Sequence, residues 1–360
     1  MRPPNAIDFW RGVALVMIFI NHIPGMDYSM LTLRNYAISD AAELFVFLAG
    51  YSLAFVANPN GNGVAKPIGR VVLRLLMRAL EIWQAQIATI SVAIAMLGAS
   101  AIAFSDPLLL EWHGAGPAFF DTVRASIGMV LLTYQIGYFN ILPLYVVLLL
   151  LATVFVVLAR WSLLLALAAS VALYAATLTF QIELPSWPAQ GAWFFNPLSW
   201  QLLIVLGFLI ATARRRYPEW GSFIQRLWPY SIALVLLGFA VVMIDWRPDP
   251  MLVPEPRYFF LFDKAYLSPL RILSMLAIAI AFYPSFPVIS RHVGPVVRYC
   301  SSLGRNSLAV FCMASLLALA GQIARYIGEP SFLLDTAIVV SGLVLLRVTA
   351  WLSESQSSAS

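Results

Sequence analysis

Apolar residues run through this chain in blocks of about the length that a membrane-spanning helix requires, roughly 20 residues. Short polar, proline-rich or arginine-rich stretches separate them. Ten such blocks stand out: Phe9–Met26, Ala41–Ala57, Leu76–Phe104, Leu142–Leu158, Ser162–Phe180, Leu198–Ala213, Tyr230–Ile244, Leu267–Phe286, Ser307–Ile323 and Phe332–Leu352. The third is long enough to tilt or to extend beyond the bilayer. Phe119 to Leu132 predicts a short helix lying at the interface. Trp10, Trp112, Trp161, Trp200, Trp228, Trp246 and Trp351 fall near predicted helix ends, as in an aromatic belt.

Composition narrows the class. The chain is 61% hydrophobic and 11% charged, with mean hydropathy +0.84. That leaves too little polar surface for a soluble globule and far too much apolar surface for a disordered chain. The expectation is an all-α polytopic membrane bundle of about ten helices. It forms one domain over residues 1–352, followed by a polar, disordered tail over 353–360. Val13–Ile20 is followed by Asn21, His22, Ile23 and Pro24, with no small-x-small cleavage site, so this run is expected to stay as the first span. Internal repeats are not evident, which weakens an inverted-repeat transporter.

The net charge of +5 reports loop placement. With both termini cytoplasmic, fifteen of the 22 basic residues fall inside, Arg2, Lys66 and the Arg214–Arg216 run among them. Seven fall outside, including Arg34, Arg247, Arg257, Lys264 and Arg271. That asymmetry predicts an even number of spans with both ends inside. Cys300 and Cys312 are expected to be packing residues. No Cys/His cluster suggests a metal. His113 and His292 fall in predicted loops and are expected to be solvated.

Ionisable residues inside spans are costly, so they mark candidate chemistry. Arg11 and His22 lie eleven residues apart, which returns a helix to within about 20° of the same face and separates them by about 16 Å along its axis. Asp40 and Glu43 open the second span three residues apart, at a depth similar to His22 in an antiparallel hairpin. A carboxylate accepting from one imidazole nitrogen leaves the other as a base. Asp40 also suits a helix cap. Glu43, being deeper, is the expected partner of His22.

Arg70, Arg74 and Arg78 form an i,i+4 stripe at the start of the third span. It suits phosphate groups or lipid headgroups, and Arg11, Arg298 and Arg305 share its side. Gly304-Arg305-Asn306-Ser307 is read as the opening of the ninth span, with its N-terminus adding anion affinity. Lys264 and Arg271, seven apart, share a face and can meet either an acid of the chain or an anionic group on a substrate. Asn196, Trp200 and Gln201 mix amide and indole groups, as sugar-binding surfaces do.

Several blocks resemble a known family. Arg11-x10-His22 is similar to the signature of the membrane acyltransferase-3 superfamily. Asp8-Phe9-Trp10-Arg11-Gly12, Ser39-Asp40-Ala41-Ala42-Glu43 through Tyr51, and Ile141-Leu142-Pro143-Leu144-Tyr145 resemble the OpgC family more closely. So do Asn196-Pro197-Leu198-Ser199-Trp200-Gln201, Phe262-Asp263-Lys264 and Gly304-Arg305-Asn306-Ser307-Leu308. The third-span spacing departs from the superfamily's Arg-x-x-Arg, being Arg-x3-Arg. The resemblance implies an enzyme of the bacterial inner membrane that moves an acyl group, succinyl in the named family, from cytoplasmic acyl-CoA to a periplasmic glucan. The acyl-CoA is a donor substrate, and no tightly bound cofactor or nucleic acid is implied. His22 would be the base or nucleophile, oriented by Glu43 or Asp40. Arg11, Arg74, Arg78 and Arg305 would hold CoA phosphates, and Lys264 and Arg271 a succinyl carboxylate. The alternative is a proton-coupled transporter or flippase of a glycan or lipid-linked sugar, with His22 as a proton relay.

Overall fold

The computed structural model describes residues 3–57, 67–217, 219–245 and 263–359. Of the residues singled out above, Arg2, Lys66, Trp246, Arg247, Arg257 and Phe262 lie outside it, as does Ser360 of the expected tail. The described residues form fourteen α-helices joined by turns and short 3₁₀ segments, with no β-strand among them. They are α1 Ala6–Asn21, α2 Ala41–Ala57, α3 Ile68–Phe104, α4 Gly116–Phe120, α5 Thr122–Val130, α6 Ile141–Trp161 and α7 Leu163–Thr179. There follow α8 Pro197–Arg216, α9 Trp220–Met243, α10 Pro269–Phe282, α11 Ser285–His292, α12 Gly294–Arg305, α13 Ser307–Ile327 and α14 Phe332–Ala359.

Nine of the ten apolar blocks carry one helix each and the eighth, Leu267–Phe286, runs through α10 into α11, but the helices are not uniform. Six helices among the described residues (α3, α6, α8, α9, α13 and α14) are long and apolar enough to cross a membrane. The α10–α11 pair reaches that length only as one element bent by 55°. α2 and α7 have 17 residues each and α1 has 16, so these three fall short of the length test. The predicted interfacial helix is two helices, α4 and α5, separated at Asp121 (φ −136°, ψ 55°). Residues 353–359, expected as a disordered tail, continue α14. Glu354 in that extension accepts from Arg305 Nε at 3.0 Å and Nη2 at 2.8 Å, which gives the last turns a reason to remain helical.

Two close helix seams set the geometry of the site. α1 lies antiparallel to α12. A Cβ on Gly12 would sit 1.9 Å from the Cys300 carbonyl oxygen, and one on Gly304 would sit 1.9 Å from that of Asp8. α2 lies antiparallel to α8. A Cβ on Gly50 would meet the Ile204 carbonyl oxygen at 2.0 Å, and one on Gly207 that of Phe47 at 2.2 Å. Small residues allow backbones this close, the main source of cohesion between helices when lipid removes the hydrophobic drive. The expected opening of the ninth span is divided accordingly. Gly304 and Arg305 close α12, Asn306 breaks the helix, and Ser307 begins α13.

Candidate active site

α1 ends at His22, whose N–H still donates to Ile18 O at 3.0 Å. The chain turns at once through Pro24 and Gly25, the latter at φ +74°, where a side chain would be strained. The Arg325 guanidinium donates to both the Pro24 and Gly25 carbonyls and pairs with Asp335 of α14 at 2.9 Å. α13 and α14 therefore fix the end of α1.

The start of α2 is a reciprocal cap. Asp40 Oδ1 accepts from the Ala42 N–H at 2.9 Å, and Glu43 Oε2 accepts from the Asp40 N–H at 3.1 Å. The other carboxylate oxygens meet cations. Lys264 Nζ lies 2.5 Å from Asp40 Oδ2. Arg271 Nε donates to Glu43 Oε1 at 2.5 Å, its Nη2 contacts the same oxygen, and Nη2 lies 3.6 Å from Asp40 Oδ2. Two cations thus face two carboxylates, with Glu43 fully buried (0% exposed) and Arg271 nearly so. A carboxylate removed from water is held as an ion only by such a partner. This corrects the expected His22–Glu43 pair: both hydrogen-bonded oxygens of Glu43 are engaged by Arg271 and by the cap.

Lys264 sits in a loop that is held from several sides. Trp200 Nε1 donates to the Lys264 and Ala265 carbonyls at 3.0 and 3.2 Å. The Asn196 N–H donates to Ala265 O at 3.0 Å, and Tyr174 OH to Leu267 O at 2.7 Å. Asn196 also caps α8, accepting from the Leu198 N–H. Gln201 is buried and exchanges hydrogen bonds with Ser170. Asn196, Trp200 and Gln201 are absent from the cavity lining; the first two hold the Lys264 loop and the third ties α8 to α7.

The cavity has a volume of about 600 Å³ and opens at the end of the bundle where α1 finishes and α2 starts. His22, Asp40, Lys264 and Arg271 line it, together with Arg34, His113 and Tyr138. The His22 ring stacks on Tyr138, with centroids 4.7 Å apart and planes at 26°. Its Nδ1 is buried and has no hydrogen-bond partner among the described residues. Tyr138 in turn meets the edge of His113 at 5.6 Å and 61°. His113 Nε2–H donates to Gln322 Oε1 at 2.5 Å, and Gln322 Nε2 donates to the His22 carbonyl. His113 is thus a partly buried wall of the cavity, not the solvated loop residue expected from sequence. Burial lowers its pKa from the ordinary 6.5, against the opposing pull of the Gln322 bond. Its long-range neighbours come from α13 and from the segment before α6, which no periodicity in the sequence could bring to the loop after α3.

The four arginines expected at a phosphate site are held separately. Arg11 Nη2 donates to Leu48 O at 3.2 Å and to Ser52 Oγ at 2.6 Å, binding α1 to α2. Arg74 is exposed on α3. Arg78 pairs with Glu81 at 2.6 Å on the same exposed face. Arg305 is engaged by Glu354. Among the described residues, no group of His, Cys, Asp and Glu could hold a metal ion.

A family model described as OpgC protein matches residues 4–358. No curated protein and no solved structure matches the chain.

Proposed function

The chain belongs to the OpgC protein family, and from that premise we propose that it is an acyltransferase acting on osmoregulated periplasmic glucans, built on the acyltransferase-3 plan. Membership supports a role in glucan modification, and the apolar helices support a membrane protein. One observation carries the chemistry: the His22 imidazole lines the cavity beside Asp40, Lys264 and Arg271, whose charges are matched among themselves and with Glu43. A neutral imidazole so placed is a base for a hydroxyl.

In this reading His22 takes the proton of a glucan hydroxyl. The oxygen attacks the thioester carbonyl of an acyl-CoA, succinyl-CoA in the named family. The C–S bond breaks and the imidazolium returns its proton to the departing thiolate. Lys264 and Arg271 present positive charge to the acyl end, and Asp40 and Glu43 keep both cations in place. The donor's phosphates lie about 16 Å further along α1, with the exposed Arg74 and the Glu81-paired Arg78 as their contacts, helped by Arg11 and Arg305. An exposed pair such as Arg78–Glu81 contributes about 0–1 kcal/mol, so a phosphate can replace it. Ten helices crossing the bacterial inner membrane, with both termini cytoplasmic, put the cavity on the periplasmic side. The alternative of a transporter has no observation of its own in its favour.

The test is transfer of labelled acyl groups from acyl-CoA to a glucan oligosaccharide by purified protein. Label on the glucan that depends on the protein supports the proposal. Protein-dependent glucan or proton flux in vesicles, with no acylated glucan, would overturn it.

A further inference from the structure

The contacts around His22 close on themselves. The His22 ring lies on Tyr138, Tyr138 meets His113, His113 donates to Gln322, and Gln322 donates to the carbonyl of His22. The loop ties three distant parts of the chain to one imidazole: the 3₁₀ turn Trp112–Gly114, the segment before α6, and α13. Neither Asp40 nor Glu43 enters it, both being held by the cap of α2 and by Lys264 and Arg271. A further backbone bond, Gly137 N–H to His113 O at 2.9 Å, locks the His113 turn to the Tyr138 segment. That approach is close: a Cβ on Gly137 would lie 2.6 Å from His113 Cβ.

An imidazole that acts as a base is ordinarily fixed by a hydrogen bond at its second nitrogen. Here Nδ1 has no such partner among the described residues, so ring orientation has to come from elsewhere. The stack on Tyr138 fixes the plane of the ring, and the Gln322 amide fixes the height of its backbone. Gln322 serves both ends, with its N–H on His22 and its carbonyl oxygen on His113. Its carbonyl can only accept, so it holds His113 as the Nε2-protonated tautomer.

We propose that Tyr138, His113 and Gln322 are positioning residues that orient His22 by stacking and an amide bridge, in place of an acid–histidine pair. The inference rests on the reading of His22 as the catalytic base. Its consequence is that orientation depends on the ring face of Tyr138 and not on its hydroxyl, which makes no hydrogen bond among the described residues.

The test compares Tyr138→Phe with Tyr138→Leu and Gln322→Leu in the full chain. Tyr138→Phe keeps kcat within about two-fold of wild type. Tyr138→Leu and Gln322→Leu lower kcat by roughly 10- to 100-fold, the scale of a misplaced reacting group, while KM for acyl-CoA stays within about two-fold. NMR of the His22 ring in detergent-solubilised protein gives a readout independent of turnover. The stacked phenol shields the imidazole protons in wild type and in Tyr138→Phe, and the shielding is lost in Tyr138→Leu. Equal loss of kcat in Tyr138→Phe and Tyr138→Leu, or wild-type kcat in Tyr138→Leu, would overturn the proposal. Shielding that behaves as stated in a protein without transfer activity would remove the functional reading and leave the positioning intact.

Discussion

Replacing Arg271 by Met leaves Glu43 buried beside an apolar side chain. Glu43 then keeps the Asp40 N–H at 3.1 Å and loses both guanidinium contacts. Asp40 keeps Lys264 at 2.5 Å, so the damage centres on one carboxylate. Removing one member of a buried pair costs about 3–5 kcal/mol, because the other charge is left without compensation. At about 1.4 kcal/mol per factor of ten, that is roughly two to four orders of magnitude in the folding equilibrium. Glu43→Gln added to Arg271→Met removes the stranded charge, and a neutral replacement of a whole pair is typically close to neutral. The double variant is therefore expected to recover most of the loss. Denaturant unfolding of the purified protein in one detergent, followed for wild type, both single variants and the double variant, gives the coupling directly. An Arg271→Met protein as stable as wild type, or a double variant that loses the sum of the two single losses, would refute the reasoning.

Further outcomes follow from the same geometry. Gly50→Ala and Gly207→Ala force a methyl against backbone oxygens 2.0 and 2.2 Å away and should each separate α2 from α8, lowering the unfolding midpoint. Gly69→Ala, at the second position of α3 with nothing within 4 Å of its Cβ, should stabilise the protein by about 0.4–1 kcal/mol by restricting the unfolded chain; a drop in the midpoint would contradict this. His113 has a pKa below 6.5 in the folded protein, so the unfolded chain binds its proton first as pH falls. Its contribution is complete above pH 6.5 and shrinks below it, and His113→Gln should flatten that part of the stability–pH curve. Arg74→Ala with Arg78→Ala should raise KM for acyl-CoA and leave kcat near wild type; an unchanged KM assigns the pair to lipid headgroups.

Much of the framework was legible because apolar length and end signals are local. The Ala41–Ala57 helix has the bounds read from its sequence, since Asp40 and Glu43 advertise the cap and Ala57 precedes a run of Asn and Gly. An antiparallel hairpin of the first two helices likewise puts His22 and Asp40 at one end of the bundle, and both line the cavity. What failed was the choice of partners. Glu43 pairs with a cation 228 residues away, and opposite charge takes a buried carboxylate ahead of an imidazole. Trp200 looked like a sugar platform by composition, yet its indole is needed by two carbonyls of the Lys264 loop. His113 and Tyr138 carried no signal, because a stack between rings 116 and 25 residues apart leaves no trace in spacing. Residues 353–359 looked like a free polar tail, and the bond between Glu354 and Arg305 that ties it down joins positions 49 apart.

The proposed chemistry turns on His22. Mass spectrometry of periplasmic glucans from cells that carry either the wild-type chain or His22→Ala at equal membrane abundance tests it most directly. Acyl-modified glucan with wild type, and none above background with His22→Ala, is the predicted result. Equal modification by the two proteins would contradict the assignment of His22 as the base of the reaction.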